Sequence, residues 1–187
     1  MQLLLEQYNN LLDYLNEGSS SRPYASYHLD LTQCTQVVKP HVQEKQMVKL
    51  NGVTFACRSK HIGNSRILFT FPGDTIQCAG EIQRIFIHQH RGLLPDNSTI
   101  MEFFYVVRQF EELTEEQVVC DPYCQFPLLC AHLCSQRMSR EQVIRNQNII
   151  SHFATCPYEG GDCPGEFFVV LLLNRVSAMY PAWHTNM

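Results

Sequence analysis

Four cysteines and one histidine lie within fifteen residues, from Cys120 to Cys134, in the stretch CDPYCQFPLLCAHLC. Zinc is held by four thiolate or imidazole ligands at about 2.0–2.3 Å, usually supplied by two short knuckles. Cys120 and Cys124, like Cys130 and Cys134, are separated by three residues, which is looser than the common spacing of two. The stretch is therefore the first candidate metal site. Later residues that could complete it are His152, Cys156 and Cys163.

The same residues also fit a packing and turn role. If this segment is a strand, Cys130, His132 and Cys134 project from one face and do not surround a point. Reduced cysteine is a common small core residue. We therefore predict that Cys130 and Cys134 are buried on one strand face, about 13 Å apart, and that the four cysteines neither bind zinc nor form disulfides with one another. Cys120 and Cys124 flank the Asp121-Pro122 turn, where the two cysteines could approach each other closely.

The sequence contains no recognised catalytic motif. It lacks a Gly-x-Ser-x-Gly elbow, a phosphate-binding loop and a His-Glu-x-x-His helix. A cysteine nucleophile paired with one of the eight histidines has no local signature either. We expect a protein that is not an enzyme and that has neither a metal nor another cofactor. The acidic residues weighed for catalysis fall on different predicted elements: Asp74, Glu81, Asp121 and Asp162.

Length and composition indicate one folded core. The chain has 187 residues, of which 45% are hydrophobic and 11% aromatic. The net charge of −4 gives no general attraction to nucleic acid or to acidic membranes. No run reaches the roughly 18 apolar residues of a membrane span, and the start MQLLLE lacks the basic region of a signal peptide. The odd number of cysteines, nine, fits a disulfide framework poorly, so we expect reduced thiols in an intracellular protein.

Hydrophobic periodicity predicts an amphipathic helix over residues 2–16, within an N-terminal segment 1–17, and we expect this helix to pack on the domain. Residues 18–45 are polar and without period, so they are predicted to be a linker or an irregular wrap. Residues 46–176 are predicted to form a β-barrel interaction domain, and residues 177–187 a C-terminal tail. The residues that recur at helical spacing are Leu4, Tyr8, Leu11, Leu12 and Leu15.

Short apolar runs separated by turn residues predict a mainly β fold, a small barrel of the SH3-like type. The unbroken run Phe167–Leu173 is predicted to be a strand buried on both faces. Thr114 and Gln117 resemble a capping box, which predicts one short helix near 115–119. The predicted strands are Met47–Ala56, Arg66–Phe71, Ala79–Gln89, Met101–Phe110, Pro127–Leu133, Val143–Phe153 and Phe167–Leu173.

A group of basic residues in the middle of the chain is the second candidate site. Arg84 and His88 share a face of one predicted strand, and Arg108 lies on the next. A surface that follows phosphates needs clustered cations of this kind. Nucleic-acid binding is therefore the alternative function, although the acidic C-terminal third opposes it. The five residues are Arg84, His88, His90, Arg91 and Arg108.

Four stretches together resemble a module of fungal proteins associated with DNA transposons of the Kyakuja–Dileera–Zisupton type. They are AGEIQRIFIHQHRG (79–92), FFYVVRQFEELTEEQVVCDPYCQFP (103–127), AHLCSQRMSREQVIRNQNIISHFATCPYE (131–159) and FFVVLLLNR (167–175). The resemblance covers residues 46–176 and implies a transposon-derived, fungal protein. The matching positions are Ala79, Gly80, Ile82, Ile85, Phe86, Val106, Val107, Asp121, Pro122, Tyr123, Phe126, Pro127, Leu133, Ile150, His152, Phe153, Ala154, Pro157 and Arg175.

The chain departs from this family pattern at two charged positions. Cys124 stands where the family has an arginine, and Asn174 replaces the aspartate before Arg175. The later thiols fall where the family strand has no metal-ligand pattern, so the resemblance implies a fold that does not depend on zinc. The strand order also resembles the BAH (bromo-adjacent homology) domain, a barrel-like β fold of chromatin proteins. That second resemblance implies a BAH-like barrel that binds proteins or histones in the nucleus.

The leading expectation is a non-catalytic interaction module of a transposon-derived protein, which binds chromatin or protein partners. A histone peptide and a transposase are the implied partners, nucleic acid is the alternative, and no membrane is expected. Tyr105, Tyr123 and Tyr158 are the candidates for an aromatic peptide or methyl-lysine surface, or else they are hydroxyl-tipped core residues. Gly80 is expected to let two backbones approach, and Asp121-Pro122 to fix a turn. A zinc-dependent protein is the weakest alternative.

Overall fold

The computed structural model describes residues 1–17, 24–27, 36–91, 98–160 and 165–173. Within them the protein is mainly β, as predicted, and its principal antiparallel sheet curls into a half-barrel. The helices are α1 (Leu5–Asn16), α2 (Ile62–Ser65) and α3 (Glu115–Val119). The strands are β1 (Tyr24–Ser26), β2 (Gln36–Val38), β3 (Gln43–Lys45), β4 (Met47–Leu50), β5 (Val53–Ala56), β6 (Arg66–Thr70), β7 (Gln77–Arg91), β8 (Thr99–Phe110), β9 (Ala131–Ser135), β10 (Met138–Arg145), β11 (Ile149–Tyr158) and β12 (Phe167–Leu172).

The long pair of strands β7 and β8 forms the centre of the principal sheet. The strand order is β10-β8-β7-β6-β11-β12-β9, and β3 pairs with β7 beyond the end of β6. All of these pairs are antiparallel. The antiparallel pair β4–β5 and the parallel pair β1–β2 form separate two-stranded sheets. Three short 3-10 turns are described at Pro122–Gln125, Pro127–Leu129 and Asn146–Asn148.

Helix α1 packs against the principal sheet, which confirms the prediction from its amphipathic pattern. Its Tyr8 and Leu11 are buried in one cluster with Phe86 of β7 and Phe104 of β8. The Tyr8 hydroxyl also donates a hydrogen bond to the Val38 carbonyl oxygen, at 2.7 Å. A helix of this length is marginal alone, so its stability comes from this packing.

The same helix covers the outer edge of β10. Asn10 Nδ2 donates to the Glu141 carbonyl oxygen at 2.9 Å, and Gln7 Nε2 donates to the Glu141 carboxylate at 2.7 Å. Because β10 is the last strand of the sheet on this side, these side chains occupy a position where a further strand would otherwise pair.

The described parts of residues 18–45, predicted to be a linker or an irregular wrap, contain three short strands. β1 and β2 pair with each other, and β3 pairs with β7, so that Gln43 lies opposite Ile87. The sequence prediction missed them because each is three residues long and shows no sustained apolar alternation.

Three predicted strands are interrupted by turns. Met47–Ala56 is the β4–β5 hairpin, in which Asn51 and Gly52 have φ angles of 50° and 84°, as a tight hairpin turn requires. Val143–Phe153 spans the end of β10, a 3-10 turn and the start of β11. Pro127–Leu133 is a 3-10 turn followed by β9. Each error comes from turn chemistry inside an apolar run.

The predicted short helix at 115–119 is confirmed as α3. Its capping box is complete, because Gln117 N–H donates to Thr114 Oγ1 while Thr114 N–H donates to Gln117 Oε1. The predicted strand at Phe167–Leu173 is confirmed as β12, and it is buried on both faces along most of its length, since Phe167 and Val169 are buried on one face and Val170 and Leu172 on the other. The prediction is wrong at the end of the strand, where Leu171 is 37% exposed.

Gly80 of β7 lies opposite Gln109 of β8, next to the Arg108 backbone. A Cβ atom built on Gly80 would lie 2.3 Å from the Arg108 carbonyl oxygen, a distance at which no side chain fits. The expectation that this glycine allows two backbones to approach is therefore confirmed.

Candidate interaction surface

The cysteines of the 120–134 stretch lie in different surroundings. Cys120 ends α3 and Cys124 lies in the following 3-10 turn, both exposed, whereas Cys134 is buried in β9. Cys130 precedes β9 with a φ angle of 50°, so the prediction that it shares a buried strand face with Cys134 is wrong. The reason is that a 3-10 turn occupies Pro127–Leu129 and the strand begins only after it.

All seven cysteines in the described part of the chain are free thiols. Burial, with Asp121 nearby, raises the pKa of Cys134 to about 12, so this thiol is protonated at neutral pH and packs as a small core side chain. Among the described residues, no three His, Cys, Asp or Glu side chains are grouped so that they could hold a metal ion.

Asp121 holds the segment between α3 and β9 in place. The residue is buried, and its carboxylate accepts the Tyr123 N–H at 2.8 Å and the Leu133 N–H at 3.1 Å. The first hydrogen bond caps a 3-10 turn. The second joins that turn to the free edge of β9, which is the last strand of the sheet on this side. The sequence identified the Asp121-Pro122 turn but not the bond to Leu133.

One short approach and one further hydrogen bond relate this segment to β12. A Cβ atom built on Gly165, just before β12, would lie 3.6 Å from Gln117 Nε2 of α3. Leu172 N–H of β12 donates to the Cys130 carbonyl oxygen at 3.1 Å. The turns after α3 are therefore hydrogen-bonded to β9 and β12, and α3 lies beside the start of β12.

This fastened segment presents large apolar side chains to solvent. Val119, Phe126 and Leu128 are 86%, 57% and 84% exposed. Soluble domains rarely expose several such side chains together unless the surface makes a contact. We refer to the exposed apolar residues of this segment and of the neighbouring end of β12 as the α3–β9 patch: Val119, Phe126, Leu128, Leu129, Leu171 and Leu173.

Two of the three aromatic candidates adjoin the α3–β9 patch. The pKa of the Tyr123 hydroxyl is raised, first by desolvation and then by the neighbouring Cys156 and Tyr158 of β11, so Tyr123 and Tyr158 lie close together. Tyr105 lies elsewhere. It is fully buried and packs edge-on against Phe55, with ring centroids 5.9 Å apart, and burial raises the pKa of its hydroxyl. Tyr105 is a core residue with a polar tip.

Both arginines of β7 and β8 that are not exposed, Arg84 and Arg108, donate hydrogen bonds within the protein. Arg84 donates to the Glu44 carboxylate at 3.0 Å and to the Gln7 side chain of α1. Arg108 donates to the Ser139 carbonyl oxygen of β10 at 2.9 Å. Their guanidinium groups are therefore directed toward protein acceptors.

The two histidines of this group are buried in β7. His88 and His90 have ring centroids 5.6 Å apart, and a ring nitrogen of His88 lies 2.9 Å from the Lys39 carbonyl oxygen. Desolvation lowers the pKa of both histidines. For His90, desolvation together with the neighbouring His88 and Arg145 lowers the pKa to about 4. Both are neutral at physiological pH. Arg91 alone of the five is exposed, so the structure does not bring these residues together as one exposed basic face.

The acidic residues weighed for catalysis have separate structural surroundings. Glu81 is buried in β7, where its carboxylate pairs with Arg58 and, at 3.4 Å, with Arg66. Asp74 lies in the turn between β6 and β7, where it accepts the Ile76 N–H at 2.9 Å. Asp121 is the capping residue described above. The fourth, at position 162, lies outside the described residues.

Sequence analysis did not identify the apolar side chains of the patch as functional residues. The signal was present in VVCDPYCQFPLL, an apolar run broken by two prolines. A proline cannot continue a central strand, so this run could have been recognised as apolar residues placed in turns.

No protein-family model, curated protein or solved structure matches this chain. No helix within the described residues is long and apolar enough to cross a lipid bilayer. The described part of the chain is a mainly β half-barrel with a packed N-terminal helix and an exposed apolar patch at one end of the sheet.

Proposed function

We propose that this protein is a non-catalytic interaction module that binds a protein partner through the α3–β9 patch. The observation that carries the proposal is the exposure of Val119, Phe126 and Leu128 on a segment that Asp121 fastens to the sheet. Because the backbone of this segment is already held, less conformational entropy is lost on binding than for a flexible loop.

The exposed side chains are of a size that supports a specific contact. Fully burying a Leu, Val or Phe side chain contributes about 1.5–3 kcal/mol. A few such anchors commonly dominate the free energy of an interface, while the residues around them exclude water. Phe126 and Leu128, in adjacent 3-10 turns, are the anchors we propose.

The proposed setting is chromatin, in a fungal protein derived from a transposon. Its support is the resemblance to transposon-associated proteins and, more weakly, to the BAH domain, together with the mainly β half-barrel. A histone peptide or a transposase is the proposed partner, and the proposed location is the nucleus. Tyr123 and Tyr158, beside the patch, are the aromatic side chains proposed to contact that partner.

Nucleic-acid binding has weaker support. A phosphate-binding surface needs positively charged side chains that are available to contact the phosphate groups. Arg84 and Arg108 already donate to protein oxygens, and the two histidines are buried with lowered pKa values. The proposal therefore rests on the apolar patch and not on the basic residues.

Affinity capture from a fungal nuclear extract, read by mass spectrometry, tests the proposal. Three baits are compared: the wild type, Leu128→Glu in the patch, and Met101→Glu on β8. Met101 is the matched control because it is also a large exposed apolar residue, 63% exposed. We expect partners that the wild type and Met101→Glu retain and that Leu128→Glu loses.

The same set of proteins on all three baits, with circular dichroism showing each bait to be folded, would refute the proposal. Titration of the wild type and Tyr123→Ala with methylated and unmethylated histone peptides then tests the aromatic contact. Equal peptide affinities for the wild type and Tyr123→Ala would show that Tyr123 does not take part in the aromatic contact.

A further inference from the structure

The charges nearest in sequence to the α3–β9 patch are mostly acidic, although the exposed Arg137 lies beside Glu111, whose N–H donates to the Arg137 carbonyl oxygen at 2.9 Å. Residues 111–136 and 149–173, which supply the patch and its surroundings, contain no lysine or arginine. The acidic residues of these stretches that the structure describes as exposed are Glu111, Glu112, Glu115, Glu116, Glu159 and Glu166. Within the described residues, none of these six carboxylates forms a salt bridge.

The fold brings several of these carboxylates to the border of the patch. Glu115 and Val119 are four residues apart in α3, so they lie on one face of the helix with their Cβ atoms about 5–6 Å apart. The backbone of Gly165 lies near the Gln117 side chain of α3, so the next residue, Glu166, is also close to this helix. Tyr158, the last residue of β11, pairs with Phe167, the first residue of β12. Glu159 and Glu166 directly adjoin this pair, so they lie at the same end of the two neighbouring strands.

An apolar centre with an acidic border selects its occupant by charge. Complementary charges at a rim speed association and exclude partners of the wrong sign. A second copy of this chain would place the same acidic border against itself, because a two-fold interface joins identical patches. Like charges in that arrangement repel.

We infer that the occupant of the α3–β9 patch is a basic peptide segment, in which apolar anchors are flanked by lysine or arginine. This inference rests on the proposed function and adds the chemistry of the partner. The apolar residues of the segment cover Phe126 and Leu128, and its cations meet the carboxylates of α3. The α3 carboxylates form no salt bridge within the described residues, so they can make this contact without breaking an existing ion pair.

The experiment selects peptides from a random library displayed on phage against the full chain, with Leu128→Glu as the parallel target. We expect the enriched peptides to combine apolar residues with an excess of Lys and Arg and a depletion of Asp and Glu. A selected peptide is then synthesised and its dissociation constant measured by fluorescence anisotropy at low and high salt. We expect binding to weaken as salt rises, because exposed charges are screened.

Charge variants supply the matched comparison. Glu115→Gln with Glu116→Gln should weaken binding of the selected peptide about fivefold, since the double variant removes two exposed ion pairs of modest strength. Glu6→Gln with Asp13→Asn makes the same change in net charge at exposed positions of α1, and should leave the affinity unchanged. Equal losses in the two double variants would overturn the inference.

The other outcomes separate the two proposals. Peptides that require Leu128 but carry no excess of cations would overturn the basic partner and leave the interaction patch standing. Peptides that bind wild type and Leu128→Glu alike, or a library with no enrichment, would overturn both. Sedimentation that shows wild-type dimers, lost in Leu128→Glu, would assign the patch to a second copy and so overturn the basic partner.

Discussion

At the scale of single residues, Asp121 connects the proposed interaction surface to the core. We predict that Asp121→Ala lowers the free energy of unfolding by about 3 kcal/mol, because two backbone N–H groups lose a charged acceptor in a buried setting. Asp74→Ala is the control, since Asp74 makes a similar bond to Ile76 at an exposed turn. That variant should lose less than about 1 kcal/mol. Urea denaturation measures both, and equal losses would contradict the assigned role of Asp121.

Single residues also show what the sequence could not predict about the site. The three candidate tyrosines are indistinguishable by type, yet Tyr105 is buried and Tyr123 is next to an exposed patch. The difference arises from which neighbours pack over each ring, and that is a tertiary property. Cys130 was misplaced for a related reason, since the turn before β9 rotates it out of the strand.

At the scale of elements, the contact between β7 and β8 depends on Gly80. We predict that Gly80→Ala lowers the free energy of unfolding by at least about 3 kcal/mol, because the added methyl group must displace the Arg108 backbone. Gly160→Ala is the matched control. The nearest atoms to its Cβ would belong to the Tyr158 side chain, at 3.5 Å, an ordinary van der Waals distance, so we expect a change within about 0.5 kcal/mol. A Gly80→Ala protein as stable as the wild type would show that β7 and β8 can separate at no cost.

Helix α1 is the second element with a measurable contribution. Leu11 is completely buried and Leu5 is 68% exposed in the same helix. We predict that Leu11→Ala costs about 2–5 kcal/mol through lost packing and a residual cavity, whereas Leu5→Ala costs less than about 0.5 kcal/mol. Thermal unfolding followed by circular dichroism should show one transition for each protein. A separate early transition in Leu11→Ala would mean that α1 unfolds independently of the sheet.

Elements with strong local signals were predicted well, and those without them were not. α1 and α3 follow from helical spacing and a complete capping box, while β6, β7, β8 and β12 follow from long apolar runs. The three strands β1, β2 and β3 have no such signal, because pairing with distant residues determines them. The α3–β9 patch was missed because an apolar residue in a turn has the same sequence signature as one in the core.

At the scale of the whole molecule, His88 and His90 lie where several elements meet. The His90 ring packs edge-on against Tyr24 of β1, with centroids 5.8 Å apart, and its Nε2 lies 3.5 Å from the Glu102 carboxylate of β8. Arg145 of β10 also pairs with Glu102, at 3.2 Å. Burial lowers the pKa of His90, and the neighbouring His88 and Arg145 act in the same direction.

This arrangement predicts a loss of stability in acid. The pKa of His90 falls from 6.5 to about 4 on folding, so the unfolded chain binds a proton first. Stability is complete above about pH 6.5 and decreases as the pH falls toward 4, by about 2 kcal/mol at pH 5 from His90 alone. The lowered pKa of His88 acts in the same direction.

Urea denaturation of wild type and His90→Gln at neutral and acid pH measures this effect. The variant should lose less stability between the two conditions than the wild type. His41→Gln, at an exposed position, should behave as the wild type does. An identical loss in wild type and His90→Gln would exclude His90 as the source.

The coverage of the two outermost strands has a consequence for how the protein behaves in concentrated solution. An open strand edge can serve as a template on which identical chains add to form a cross-β fibril. Here the Asn10 side chain donates a hydrogen bond to the Glu141 carbonyl oxygen of β10, and the Asp121 carboxylate accepts one from the Leu133 N–H of β9. Neither backbone group is then open to pairing with another chain. Asp121 therefore stabilises the fold and also hinders fibril growth at the edge of β9. We expect Asp121→Ala to bind thioflavin T sooner on incubation than Asp74→Ala does.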